Sequence, residues 1–258
     1  MPAPLNRFKA ALASDTPSLG LWLAMGTGYA AEIAAAAGFD WLLIDGEHAP
    51  NDLGTIHEQM MALSGHAASP IVRIPHNDPA LIKQVLDLGA QSLLCPMVNS
   101  AAEARAIVEA TRYPPNGIRG VGHMLGRASA FNGIPDYLET AENQICLIVQ
   151  AESVAAMDAL EEICAVDGID GVFIGPADLC ADMGLLPNIT HPEVRAAVQD
   201  GLRRIRAAGK AAGIIDGDPA LIQQDIDAGA NFVALGADVI LLADAMRGLV
   251  KTWKARTT

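Results

Sequence analysis

Charged side chains gather in this sequence where apolar runs stop. In "WLLIDGEHAP", residues 41–50, the run through Ile44 is followed by Asp45, Glu47 and His48 within four positions. "SPIVRIP" ends near Arg73, "VQAES" carries Gln150 and Glu152, "GVFIGPADL" leads to Asp178, and "IIDGDPA" opens onto Asp216. The chemistry available to such a set is specific. Two carboxylates on neighbouring strands repel unless a cation or a shared proton relieves them, and a divalent ion with two protein oxygens and open water positions fits that arrangement. A guanidinium at a strand end needs an anion. An imidazole near a carboxylate can act as general acid or base, with Asp45 setting the tautomer of His48. Each residue also has a plainer role: Glu152 as a helix-start carboxylate, Asp178 as a helix cap, and Arg73 as the internal partner of Asp45 or Glu47.

Positioning them requires a frame, and the periodicity supplies one. Short runs rich in Leu, Ile, Val and Cys at 19–25, 41–45, 70–74, 92–98, 145–151, 171–175, 211–215 and 232–236 read as strands. Helical spacing fills 29–37, 52–63, 79–88, 101–111, 154–164, 192–208, 219–228 and 238–254. Asn51, Asp78, Ser100, Ser153 and Asp218 read as N-caps, and Pro79, Pro192 and Pro219 suit a first helical turn. Gly38, Gly89, Gly209 and Gly229 mark helix ends. Eight strand–helix units in 258 residues predict one α/β domain over 1–258, a closed (β/α)8 TIM barrel rather than an open doubly wound sheet. The working face of that fold is the C-terminal end of its strands, where the charged residues fall. Alternation points Gln150 and Glu152 the same way, above Cys146 and Ile148. Only the stretch 112–143 breaks the rhythm; connections of such length serve function or assembly.

Composition narrows the partners. A net charge of −13, without a Lys/Arg cluster, argues against nucleic acid. No apolar run approaches the roughly 20 residues of a membrane span, and the N-terminal "MPAPLNRFKAALASD" has no secretory core, so a soluble cytoplasmic protein is expected. Cys95, Cys146, Cys164 and Cys180 form no C-x-x-C pair and read as reduced core thiols. Lysines stand only at 9, 83, 210, 251 and 254, none at a strand's C-terminal end, so imine chemistry lacks its amine.

"GFDWLLIDGEHAPN", "VRIPHNDP", "KQVLDLGAQSLLCPMV", "ATRYPPNGIRGVG", "VQAES" and "DGVFIGPADLCADMG" together resemble the class II, metal-dependent pyruvate aldolases typified by 4-hydroxy-2-oxoheptanedioate aldolase. The resemblance runs over essentially the whole chain. It implies reversible cleavage of 4-hydroxy-2-oxo acids to pyruvate and an aldehyde, with hydroxypyruvate as another donor. By the same similarity Glu152 and Asp178 fall on metal-ligand positions for Mn²⁺, Co²⁺ or Mg²⁺. Arg73, Asp45 and His48 are the implied catalytic group, the last two as an acid–base pair. Gln150, Gly175, Ala177 and Asp178 are the implied substrate contacts, with backbone N–H groups near Ala177 and Asp178 holding a carboxylate if a helical turn begins there. A homohexamer of paired trimers, with sites near subunit boundaries, is implied too. Glu47 is expected to support metal-bound water; Arg119, His123 and Arg127 either contact the aldehyde or secure assembly. Two rivals make different predictions: a phosphate-handling barrel, which Asp216, Asp218 and Asp238 in the loops after the last two strands would repel, and a non-catalytic barrel that binds oxo acids without turnover.

Overall fold

The computed structural model describes residues 2–256. Eight parallel strands close in sequence order: β1 (Ser18–Leu23), β2 (Trp41–Asp45), β3 (Ser69–Arg73), β4 (Ser92–Cys95), β5 (Cys146–Ala151), β6 (Gly171–Ile174), β7 (Ala211–Ile215) and β8 (Phe232–Ala237), with β8 pairing back onto β1. Helices α1 (Arg7–Ala11), α2 (Gly28–Ala36), α3 (Leu53–Ala62), α4 (Pro79–Asp87) and α5 (Ala101–Thr111) precede β5, with a short α6 (Tyr137–Thr140) just before it. After β5 come α7 (Val154–Asp158), α8 (Leu160–Cys164), α9 (Pro176–Asp182), α10 (Pro192–Ala207), α11 (Pro219–Asp227) and α12 (Asp238–Lys254). The expected closed (β/α)8 barrel is the observed one.

Aromatic residues are only 4% of the chain, yet they fill the barrel's interior. Trp22, Trp41, Phe173 and Phe232 pack with Leu43, Ile71, Leu94 and Ile148 inside the strands. Bulk on one strand demands its absence on the next. A Cβ at Gly20 would lie 2.1 Å from the Trp41 ring, and one at Gly213 would lie 2.2 Å from Phe232. The short α1, not foreseen from the sequence, seats Phe8 under this layer, 6.0 Å from Trp41 and 5.8 Å from Phe232 between ring centroids. Outside the strands, branched residues such as Leu42, Ile44, Val72, Leu93 and Val149 form the second core against the helices.

Several boundaries differ from the expectation, each for a local reason. The cap of α3 is Asp52, not Asn51: Asp52 accepts from Thr55 N–H, and Thr55 Oγ1 accepts from Asp52 N–H. Asn51 instead donates to the carbonyl of Asp45 at 2.8 Å. The helix expected over 154–164 is interrupted at Ala159, which leaves α7 and α8 as separate turns. β4 stops at Cys95 rather than at Val98, because Pro96 has no N–H for the ladder. The 112–143 excursion folds into 3₁₀ turns and α6 over the N-terminal end of the barrel. There buried Arg119 meets Asp87 at 2.6 Å and Arg127 reaches Ser64 Oγ at 2.7 Å. Within one chain Arg119, His123 and Arg127 therefore lie at the end opposite the strand-end carboxylates. The last helix, α12, has no buried residue and exposes Ile240, Leu241, Met246, Leu249, Val250 and Trp253.

Candidate active site

Parity along the strands builds the site. On β2 the inward sequence is Trp41, Leu43, Asp45; on β3 it is Ile71, Arg73; on β5 it is Cys146, Ile148, Gln150. The register sets Asp45 directly beside Arg73, so the first polar layer above the aromatic floor is an ion pair. Arg73 Nε and Nη2 donate to Asp45 Oδ1 and Oδ2, both at 2.8 Å, the two-pronged geometry of a guanidinium on a carboxylate. Arg73 Nη1 lies 2.7 Å from Glu47 Oε2 and 3.5 Å from Gln150 Oε1, and the guanidinium sits 5.5 Å from the centre of the Trp22 ring. The internal pairing of Arg73 with Asp45 and Glu47 is thus the arrangement present. One guanidinium edge is committed to Asp45, while Nη1 is shared.

From Gln150 the line continues. Its Nε2 donates to Glu152 Oε2 at 2.8 Å, and Met97 N–H donates to Glu152 Oε1 at 2.7 Å. Glu152 is 3% exposed. Burial pushes its carboxyl up to about 7; the Met97 hydrogen bond opposes the rise, and the nearby charges of Asp178 and Glu47 add to it. Glu47 is also raised, by burial first, against the lowering effect of Arg73. Glu152, Asp178 and Glu47 therefore share one electrostatic neighbourhood. Gly175 caps α9 with Pro176 at its first position, which places Ala177 and Asp178 in the first turn, exposed at the barrel mouth. A side chain at Gly175 would collide with Glu152, its Cβ 2.4 Å from Oε2.

One expected pairing is corrected. Asp45 does not hold the His48 imidazole; its oxygens serve Arg73, and Oδ1 also accepts the N–H groups of Glu47 at 3.0 Å and His48 at 3.4 Å. The imidazole is 68% exposed, with Nε2 3.9 Å from Glu47 Oε2. Glu47, not Asp45, is the carboxylate that faces it. Met97, Trp22 and Asn51 are further members of the site that the sequence reading missed. Asn51 is visible in the sequence only as an expected helix cap, and Met97 only as part of the run 92–98. Lys9 and Lys210 donate to Ile145 and Ile169 carbonyls just ahead of β5 and β6, at the far end of the barrel, as expected.

Could these residues hold a cation? Among the described residues no three His, Cys, Asp or Glu side chains form a ready metal cage. The Glu152–Asp178 pair offers two hard oxygen donors, and each Glu152 oxygen accepts one hydrogen bond. That donor set fits an oxygen-seeking divalent ion completed by water and substrate.

The chain is similar to known proteins over nearly its whole length. Residues 18–245 match the family model for HpcH/HpaI aldolase/citrate lyase. A hydroxypyruvate/pyruvate aldolase of Roseovarius nubinhibens is 56% identical over 254 residues, covering 98% of this chain and 99% of the relative. A 4-hydroxy-2-oxo-heptane-1,7-dioate aldolase of Escherichia coli is 53% identical over 253 residues, covering 98% and 97%. The crystal structure of an HpcH/HpaI aldolase/citrate lyase family protein from Burkholderia cenocepacia superposes with a TM-score of 0.93 at 41% identity, covering 96% of this chain and 99% of that one. With a family match across nearly the whole barrel and relatives of this identity, the chain belongs to the HpcH/HpaI aldolase/citrate lyase family.

Proposed function

We infer that this chain is a carbon–carbon lyase that cleaves 4-hydroxy-2-oxo acids reversibly into pyruvate and an aldehyde, with hydroxypyruvate as an alternative donor in the condensing direction. The observation that carries the reading is the unbroken line Asp45–Arg73–Gln150–Glu152 across β2, β3 and β5, ending on a buried carboxylate that feels the charge of Asp178. Glu152 and Asp178 would hold Mn²⁺, Co²⁺ or Mg²⁺, which when bound supplies Lewis-acid stabilisation of charge on the keto oxygen. Arg73, oriented by Asp45, presents Nη1 to the same oxygen, and Gln150 helps fix the three-carbon acid. The N–H groups of Ala177 and Asp178 receive its carboxylate. His48, beside Glu47, exchanges a proton with the 4-hydroxyl, directly or through water, as the bond between C3 and C4 breaks or forms. The barrel is read as one catalytic domain.

Assembly belongs to the same reading. A homohexamer of paired trimers is supported by the apolar face of α12 and by exposed Ile118, Val121, Met124, Leu125 and Phe131 on the excursion. No helix among the described residues is long and apolar enough to cross a membrane. A cytoplasmic location rests on the sequence expectation.

The test is pyruvate release from a 4-hydroxy-2-oxo acid. Chelation is expected to cut the rate by at least about 100-fold, and added Mn²⁺ or Co²⁺ to restore it. Full turnover after rigorous chelation would remove the cation from the scheme, and no turnover under any condition would favour a binding protein. Gly175→Ala probes the same geometry sterically. Pushing Glu152 aside by an ångström should cost about 100-fold in rate, with a modest fall in melting temperature; an unimpaired rate would show that Glu152 can move freely.

A further inference from the structure

The turn that follows β4 is built against the grain. The ladder to β5 runs as far as Cys95 opposite Val149, lapses at Pro96, and is rejoined when Val98 N–H donates to the Gln150 carbonyl at 3.1 Å. Between them Met97 adopts φ +53°, a left-handed conformation that a long L side chain rarely takes. The excursion turns the Met97 N–H away from the ladder and onto Glu152 Oε1. Side chains hold the turn from both sides. Asn77 Nδ2 donates to the Pro96 carbonyl at 2.7 Å, and Asn99 Nδ2 donates to the Met97 carbonyl at 3.2 Å. Asn99 is itself fixed: its Oδ1 accepts from Ser153 Oγ, on the residue next to Glu152, and its N–H donates to Glu103 Oε2 at 2.6 Å.

We propose that Met97 is a positioning residue, and that Asn77 and Asn99 form a clamp which keeps its backbone left-handed so that its N–H fixes the Glu152 carboxylate toward Asp178. Strained residues persist only where their surroundings over-determine them, and here two amides hold the peptides on either side of one residue. Gln150 holds the other carboxylate oxygen, so the two donors together leave Glu152 a single orientation. The inference rests on the reading of Glu152 as a cation ligand, and it adds that β4, which contributes no charged group, sets that ligand's aim.

The experiment uses the full chain with Asn99→Ala, Asn77→Ala, Met97→Gly, the Met97→Gly/Asn99→Ala double variant, and Glu152→Gln as reference. The readouts are Mn²⁺ affinity by electron paramagnetic resonance, hydrogen exchange at the Met97 amide in metal-free protein, and thermal melting to certify folding. Asn99→Ala is expected to weaken Mn²⁺ binding about tenfold, as loss of an outer partner does, and to speed exchange at the Met97 amide. Asn77→Ala releases the turn from its other side and should act in the same direction, which covers the case of an unfolded Asn99 variant. Glycine takes the left-handed conformation without a steric penalty, so in a Met97→Gly background the further loss on Asn99→Ala should shrink to less than about threefold. Unchanged affinity and exchange in both asparagine variants would overturn the clamp, as would an Asn99→Ala loss that is equally large with and without the Met97→Gly change. If Glu152→Gln binds Mn²⁺ like the parent, the cation assignment itself fails; if only the asparagine arms are flat, that assignment stands and the clamp alone is lost.

Discussion

Arg73→Ala is expected to be the most damaging single substitution at the site, in stability and rate together. It strips the two-pronged partner from Asp45, 3% exposed, and the nearest cation from Glu47. Removing one member of a buried pair leaves an uncompensated charge, typically about 3–5 kcal/mol. For a domain of this size that is roughly a 10 °C fall in melting temperature. On the proposed reaction the rate should fall by a further 100- to 1,000-fold or so, the usual loss when a donor aimed at a developing oxyanion is removed. Arg73→Lys keeps the charge but not the fork, so it should recover part of the stability and little of the rate. Melting curves and steady-state rates of both variants decide this. An alanine variant that keeps a tenth of the parent's activity would show that the guanidinium is structural.

Glu152→Gln separates charge from shape. In the folded, metal-free protein this carboxyl is raised from its ordinary 4.5 to about 7, chiefly by burial. The sign follows. A group whose folded value is the higher contributes its stability fully below about pH 4.5 and loses it as the pH climbs through about 7. Above that, ionised Glu152 destabilises the fold by roughly 3 kcal/mol, at 1.36 kcal/mol per unit. The neutral amide is free of this dependence. Metal-free parent should therefore lose melting temperature between pH 5 and pH 8, while the variant loses distinctly less and overtakes it at pH 8. Added Mn²⁺ should stabilise the parent most at high pH and leave the variant unmoved, since binding the folded form alone raises its stability. Activity of the variant should fall about 1,000-fold, because an amide is a poor substitute for a carboxylate toward a hard cation. Parallel pH slopes in parent and variant would contradict this account of Glu152.

Much of this site is legible in one dimension because strands alternate. Gln150 and Glu152 are two apart, so their shared direction follows from parity, and the apolar residues behind them say which side is the interior. The glycine and proline marks at Gly38, Asp78–Pro79 and Asp218–Pro219 located helix ends for equally local reasons. What the sequence left open was lateral. Whether Asp45 turns to His48, three positions on, or to Arg73, on the neighbouring strand, depends on register, and no local pattern encodes the pairing of β2 with β3. Proximity in sequence pointed to the wrong partner. The Met97 turn escaped for a related reason: its hydrogen bond spans 55 residues. The excursion was recognised by length alone. Its place at the far end of the barrel follows from chain order, since it joins the end of α5 to the start of β5; its anchor, Arg119 on Asp87 in the last turn of α4, is a contact that periodicity does not register.

The layer of Trp22, Trp41, Phe173 and Phe232, backed by Phe8, makes the cylinder a filled core, so the cavity above it is a well closed at its base. On the proposed reaction the three-carbon acid rests on Arg73 and Gln150 at the bottom of the well, whereas His48 stands at its rim. Traffic in both directions shares one doorway. On that placement the aldehyde is expected to depart before pyruvate, and in synthesis the oxo acid to enter before its acceptor, a kinetic order that would follow from the filled floor of the barrel.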